Sequence, residues 1–135
     1  MTTSVALDRP PDSPGHRGAA STGAEAHQGA WHLADHLCRH FARPGRLTEL
    51  GRPLGWTAFQ TIRAFRRAFG LTPGEYLQAV RVAHAKRLIE EGRPLTEVAF
   101  EVGFCDQSHL TRVFKRVDGR TPGAYVRRRC ARRLR

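Results

Sequence analysis

The chain has 135 residues, room for one domain, and carries 23 Lys+Arg against 12 Asp+Glu, a formal net charge of +11. That balance favours a polyanionic partner, nucleic acid first and an anionic membrane surface second; a general bias towards Arg explains why only two of the 23 are Lys, but not the excess of positive over negative. Three widely spaced cysteines, Cys38, Cys105 and Cys130, with no CxxC pair, argue against a disulfide framework and a Cys-rich zinc site, and with no apolar run of membrane-spanning length and no signal-peptide core the expected setting is the cytoplasm.

Residues 1–28 are rich in Pro, Gly, Ser, Thr and Ala and lack apolar periodicity. They read as a disordered arm. From Trp31 the pattern is helical, with Leu33, Leu37 and Phe41 on one stripe until Arg43-Pro44-Gly45. A short second helix follows, with Leu47, Leu50 and Leu54 as its apolar face, weakened by Gly51 and Pro53. Gly55-Trp56-Thr57 is a turn, and Thr57 is the expected N-cap of a helix from Ala58 to Phe69 that stops at Gly70.

Thr72-Pro73-Gly74-Glu75 has the form of a capping box with Pro at the first helical position. The helix it starts runs to Glu91, roughly 28 Å at 1.5 Å per residue, and directs Tyr76, Leu77, Val80, Ala85, Leu88 and Ile89 to apolar neighbours. Leu95, Val98, Ala99 and Val102 make the next amphipathic helix. After the turn Gly103-Phe104-Cys105, a helix starting at Cys105 or Asp106 buries Leu110, Val113, Phe114 and Val117. A last short helix lies around Tyr125, and Arg127 to Arg135 form a basic tail. No stretch alternates with period two, so the fold class is all-α, with about seven helices.

One stretch occurs twice, 49 residues apart. Arg63-Ala-Phe-Arg-Arg-Ala-Phe-Gly-Leu-Thr-Pro-Gly-Glu-Tyr76 is matched by Arg112-Val-Phe-Lys-Arg-Val-Asp-Gly-Arg-Thr-Pro-Gly-Ala-Tyr125, with eight identities in 14 positions. Each copy belongs to a helix, a Gly-containing turn and a second helix with an Arg-rich polar face. That is a helix-turn-helix, whose second helix enters a DNA major groove. Two such helices one DNA turn apart stand about 34 Å from each other, the order of length of the connecting helix. Direct repetition predicts an asymmetric site rather than a palindrome.

Leu95-Thr-Glu-Val-Ala-Phe-Glu-Val-Gly-Phe-Cys-Asp-Gln-Ser-His-Leu-Thr-Arg-Val-Phe-Lys-Arg116, followed by Gly119-Arg-Thr-Pro-Gly-Ala-Tyr125, resembles the signature of AraC-type transcription regulators, and Tyr76 to Ile89 resembles that family's linker helix. The resemblance covers residues 30–128. It implies a tandem helix-turn-helix DNA-binding domain over 29–128: a first unit at 29–70, a linker helix at 72–91 and a second unit at 93–128, with 129–135 as the basic tail. It implies a bacterial activator or repressor, monomeric on double-stranded DNA, with RNA polymerase as a further partner. Carried over position by position, the base-contacting residues are Phe59, Gln60, Ile62 and Arg63 in the first unit and Gln107, Ser108, His109 and Arg112 in the second. Thr57, Arg66, Arg67, Lys115 and Arg116 fall to phosphate.

Two departures from the family pattern stand out. Thr61 occupies the core position that is Leu110 in the second unit, and the outward Ile62 is apolar. Either the first reading helix is rotated to bury Ile62, or Ile62 and Phe59 face DNA and touch thymine methyls. On this basis the second unit is expected to dominate sequence reading. The other departure is at the N-terminus, where most of the family carries a sensing domain. Here a short arm takes its place, so no small-molecule effector pocket is expected; a short stand-alone regulator and a truncated gene product both fit.

His32, His36 and His40 recur at i, i+4, a spacing two metal ligands can use, but no acidic or cysteine set completes a site on that face. No metal, no cofactor and no catalytic residue is expected, and no enzyme. His109 fits either a core position or a DNA contact. Cys105 reads as a passive residue at the start of its helix, and the Arg tail as a non-specific phosphate grip. Two rivals remain: a non-specific nucleoid-type protein, and a remnant that docks a protein partner.

Overall fold

The structure, a computed structural model, describes residues 22–133. Among them the chain forms α1 (Thr22–Arg39), α2 (Leu47–Leu50), a 3-10 turn (Arg52–Leu54), α3 (Ala58–Phe69), α4 (Pro73–Glu90), α5 (Leu95–Glu101), α6 (Gln107–Asp118) and α7 (Pro122–Arg133), with no strand. The all-α expectation holds. The helices fall into two compact units that divide inside α4, between Leu77 and Gln78.

In the N-terminal unit, Ala30, Leu33, Ala34 and Leu37 recur at helical spacing and bury one face of α1. That face packs on α3, which buries Thr61 and Phe65. The Phe65 ring lies 4.7 Å from Phe69 and 5.2 Å from Tyr76, while Trp31 stands edge-on to Phe69 at 4.9 Å. Burying Phe65 fully is worth about 2–3 kcal/mol on transfer grounds. The Tyr76 hydroxyl meets Cys38 Sγ at 3.3 Å. Burial first, then Cys38, pushes the Tyr76 pKa up.

The C-terminal unit repeats the plan with larger side chains. Val98, Ala99, Val102, Phe104, Leu110, Val113 and Phe114 are buried, and so are Ala79, Val80, Val82, Ala85, Leu88 and Ile89 of α4. Phe114 and Tyr125 meet at 5.7 Å. Tyr125 donates its hydroxyl to the Glu90 carboxylate, the counterpart of the Tyr76–Cys38 contact.

Four expectations are corrected. Helix α1 begins at Thr22, inside the arm placed at 1–28; Ala24, Glu25, Ala26 and Gln28 favour helix, and the stripe from Ala30 gives it something to bury. The rest of that arm lies outside the described residues. The stripe Leu47, Leu50, Leu54 does not form one helical face. Pro53 divides it into a single turn of α2 and a 3-10 turn, and Leu54 is left 36% exposed. Val117 is 39% exposed rather than buried, because Phe114 and Tyr125 already close the core at the last turn of α6. The basic tail is helical as far as Arg133, since the stretch from Ala124 to Arg133 holds no Gly or Pro and is mostly Arg and Ala, both good helix formers.

Candidate nucleic-acid interface

Each turn is set by a glycine in the left-handed region, Gly55 at φ 69° and Gly103 at φ 95°, where a side chain would be strained. Four residues earlier sits a small buried residue, Gly51 or Ala99. A Cβ on Gly51 would lie 2.3 Å from Thr61 Oγ1 and 2.9 Å from the Trp56 carbonyl oxygen. This close approach explains the small, polar Thr61 at a core position. Its hydroxyl donates to the Thr57 carbonyl at 2.9 Å, so nothing polar is left unsatisfied.

Both reading helices are capped at the same repeat position. In α3, Gln60 N–H donates to Thr57 Oγ1 at 3.2 Å, and Thr57 N–H donates to Gln60 Oε1 at 2.8 Å. In α6, His109 N–H donates to Asp106 Oδ1 at 2.7 Å, which settles Asp106 as the N-cap. A missing cap costs a helix about 1 kcal/mol, so these bonds hold the first turn of each helix ready.

The buried register of α3 is Thr61 and Phe65. The helix is therefore not rotated to bury Ile62, which is half-buried, and Phe59 stands 70% exposed. Arg63 is exposed, and so are Arg66 and Arg67 one turn on. Gln60 is exposed, but its carbonyl oxygen is engaged by the cap, leaving its amide group to donate. Thr57 is likewise exposed with its oxygen in use.

On α6, Gln107, Ser108, Arg112, Lys115 and Arg116 are exposed, on the side opposite Leu110, Val113 and Phe114. His109 is half-buried, with its ring edge-on to Phe104 at 5.0 Å. It partly supports the turn and partly faces out. Neither outward face carries a carboxylate; the one acid of the two helices, Asp118, is folded back with its side chain 6% exposed.

Asp118 takes Lys86 Nζ at 2.7 Å and Arg120 Nε at 2.9 Å. Burial works to raise its pKa, but the hydrogen bonds and charges of Arg120 and Lys86 outweigh it and hold the carboxyl below its ordinary value of 3.8. On Tyr125, burial and then the Glu90 contact push the pKa up. These contacts tie α6 and α7 to α4 within one unit, so the last turn of α6 is braced.

Among the described residues no three His, Cys, Asp or Glu gather as a metal site, and no helix is long and apolar enough to cross a membrane. His36 makes a hydrogen bond with the Pro44 carbonyl at 3.0 Å and stacks on His40. What sequence reasoning missed is the extent of α7; the Arg- and Ala-rich stretch without Gly or Pro after Thr-Pro-Gly was the available signal.

Two capped helices, each after a glycine turn and each with an acid-free basic outer face, define a tandem helix-turn-helix protein. A family described as a helix-turn-helix domain matches residues 50–128, and the chain belongs to this AraC-type family of DNA-binding transcription regulators. It is similar to the uncharacterised HTH-type transcriptional regulator YbfI of Bacillus subtilis (strain 168), 37% identical over 78 residues, which are 58% of this chain and 28% of that protein. The C-terminal domain of AraT, a response regulator from Geobacillus stearothermophilus, superposes with a TM-score of 0.68 at 22% identity, covering 73% of this chain and 84% of that one. A probable AraC family transcriptional regulator from Rhodopseudomonas palustris CGA009 does so with a TM-score of 0.67 at 23% identity, covering 75% and 96%. At those identities the likeness is one of fold. The chain spans about a third or less of the length of the curated relatives it matches.

Proposed function

We propose that this chain is a sequence-specific transcription regulator that reads two adjacent major grooves of duplex DNA, one with α3 and one with α6, as a monomer in the bacterial cytoplasm. The observation that carries the reading is the pair Arg63 and Arg112. They occupy one repeat position, are exposed on capped helices, and meet no carboxylate among the described residues. A guanidinium so placed can take guanine O6 and N7 together, the commonest specific contact in the major groove. Gln107 and Ser108 add polar contacts beside Arg112. Phe59 and Ile62 offer thymine methyls an apolar surface beside Arg63. Arg66, Arg67, Lys115 and Arg116, with the Thr57 hydroxyl, grip phosphate, which fixes register without reading sequence.

The 14-residue repeat, its copies 49 residues apart, supports two reading heads of one design, and their direct order supports an asymmetric site. Arg63→Ala and Arg112→Ala, each measured against duplexes changed one base pair at a time, test the assignment. Each variant should lose about 1–3 kcal/mol on the preferred duplex and become indifferent at a base pair of its own block. A uniform loss across all duplexes, with every preference kept, would make both residues phosphate contacts and sink their assignment as base readers; no preference in the wild type itself would favour a non-specific nucleoid-type protein.

A further inference from the structure

Helix α7 carries Arg127, Arg128, Arg129, Arg132 and Arg133 and no acidic residue. Its start, Thr121-Pro122-Gly123, repeats Thr72-Pro73-Gly74 before α4 and serves the scaffold. Of its charges only Arg129 has such a role, in an ion pair with Glu90 of α4. Arginines this close repel one another, and the pairs 128/132 and 129/133 stand at i, i+4 on the helix. Two carboxylates nearby are already engaged. Glu90 takes Arg129 at 2.5 Å, and Asp118 takes Lys86 and Arg120. Among the described residues, no carboxylate reaches Arg128, Arg132 or Arg133.

These three, with Arg120, Arg129 and the ring of Tyr125, line an open cleft of about 300 Å³. The Tyr125 ring has the Arg120 guanidinium 5.4 Å from its centroid. Guanidinium forks match phosphate oxygens in pairs, so the lining is that of an anion site. A protein partner would need an apolar or aromatic centre with a polar rim. Val126, at the margin of exposure, is the one large apolar side chain exposed on α7. The chemistry fits an extended polyphosphate better than a protein surface.

We propose that α7 is a further DNA contact, in which Arg128, Arg132 and Arg133 clasp backbone phosphates outside the base pairs read by α3 and α6. It adds affinity and no base preference. The proposal rests on the DNA-reading function above and extends it to flanking duplex.

The test uses the full chain and a duplex it prefers. The triple variant Arg128→Gln/Arg132→Gln/Arg133→Gln, checked for unchanged helicity by circular dichroism, should show a slope of log affinity against log salt that is shallower by about 2.7, at about 0.9 per phosphate contact. Arg132→Gln alone should take away about 0.9, and lysine at all three positions should restore the slope. Preferences among base-substituted duplexes should not change. Wild type should also gain affinity when the duplex is lengthened by about ten base pairs at one of its ends, a gain the triple variant lacks. An unchanged slope and an equal length effect in the variant, with base preference intact, would overturn the α7 proposal alone. Absence of base preference in the wild type would overturn the reading on which it rests.

Discussion

At Gly51 the N-terminal unit leaves no room for a methyl group. A Cβ there meets both the Thr61 hydroxyl and the Trp56 backbone carbonyl; the hydroxyl can turn aside, but the carbonyl cannot. Gly51→Ala should therefore cost about 1–3 kcal/mol in denaturant unfolding. An unchanged midpoint would mean the first turn is loosely packed. Asp118 gives a second handle, through pH. Its folded pKa lies below the ordinary value, so its contribution is present above the unfolded pKa and is lost as pH falls through the folded one. As pH falls through and below the ordinary carboxyl value of 3.8, wild type should lose stability more steeply than Asp118→Asn, which is the weaker of the two at neutral pH. Parallel pH curves would remove Asp118 from the account. The importance of Gly51 was visible in the sequence only as a weakness in a helix. Its role depends on Thr61 lying across from it, a contact that no local pattern carries.

The strongly patterned elements were legible from sequence alone. Helix α3 ends where expected, α4 opens on the expected capping box, with Glu75 N–H on Thr72 Oγ1 and Thr72 N–H on the Glu75 carboxylate, and the α6 stripe is buried through Phe114. Caps, a Pro at the first position and apolar spacing all pointed the same way there. Where they conflicted, as at Gly51 and Pro53, the element broke in two. Among the candidate base readers, exposure separates Arg63, Arg112, Gln107, Ser108 and Phe59 from the half-buried Ile62 and His109. The cap of α6 is open to test on its own. Asp106→Ala removes the bond to His109 N–H and should lower stability by about 1 kcal/mol, weakening DNA binding through the disorder of the first turn that bears Gln107 and Ser108. The two heads should also differ in weight. Arg112→Ala should relax base preference more than Arg63→Ala, because α6 sets more polar readers beside its arginine than α3 does. Equal losses would show the heads to be equivalent readers.

At the scale of the whole molecule, charge and repetition answer different questions. The net charge of +11 sets a background affinity for any duplex that falls steeply with salt. The repeat supplies two capped helices of one design, and its copies agree best in the scaffold run Gly-x-Thr-Pro-Gly-x-Tyr while differing at Phe59/Ser108, Gln60/His109 and Thr61/Leu110. Two of those pairs lie on the outward side, so each head should prefer different base pairs. The measurement that bears on this most directly is selection of binding sites by the full chain from random duplex at about 150 mM salt, a level that suppresses much of the non-specific term. The account predicts an enriched, asymmetric motif in two blocks, with centres about 10 base pairs apart. A single block, a palindrome or no enrichment at all would contradict it.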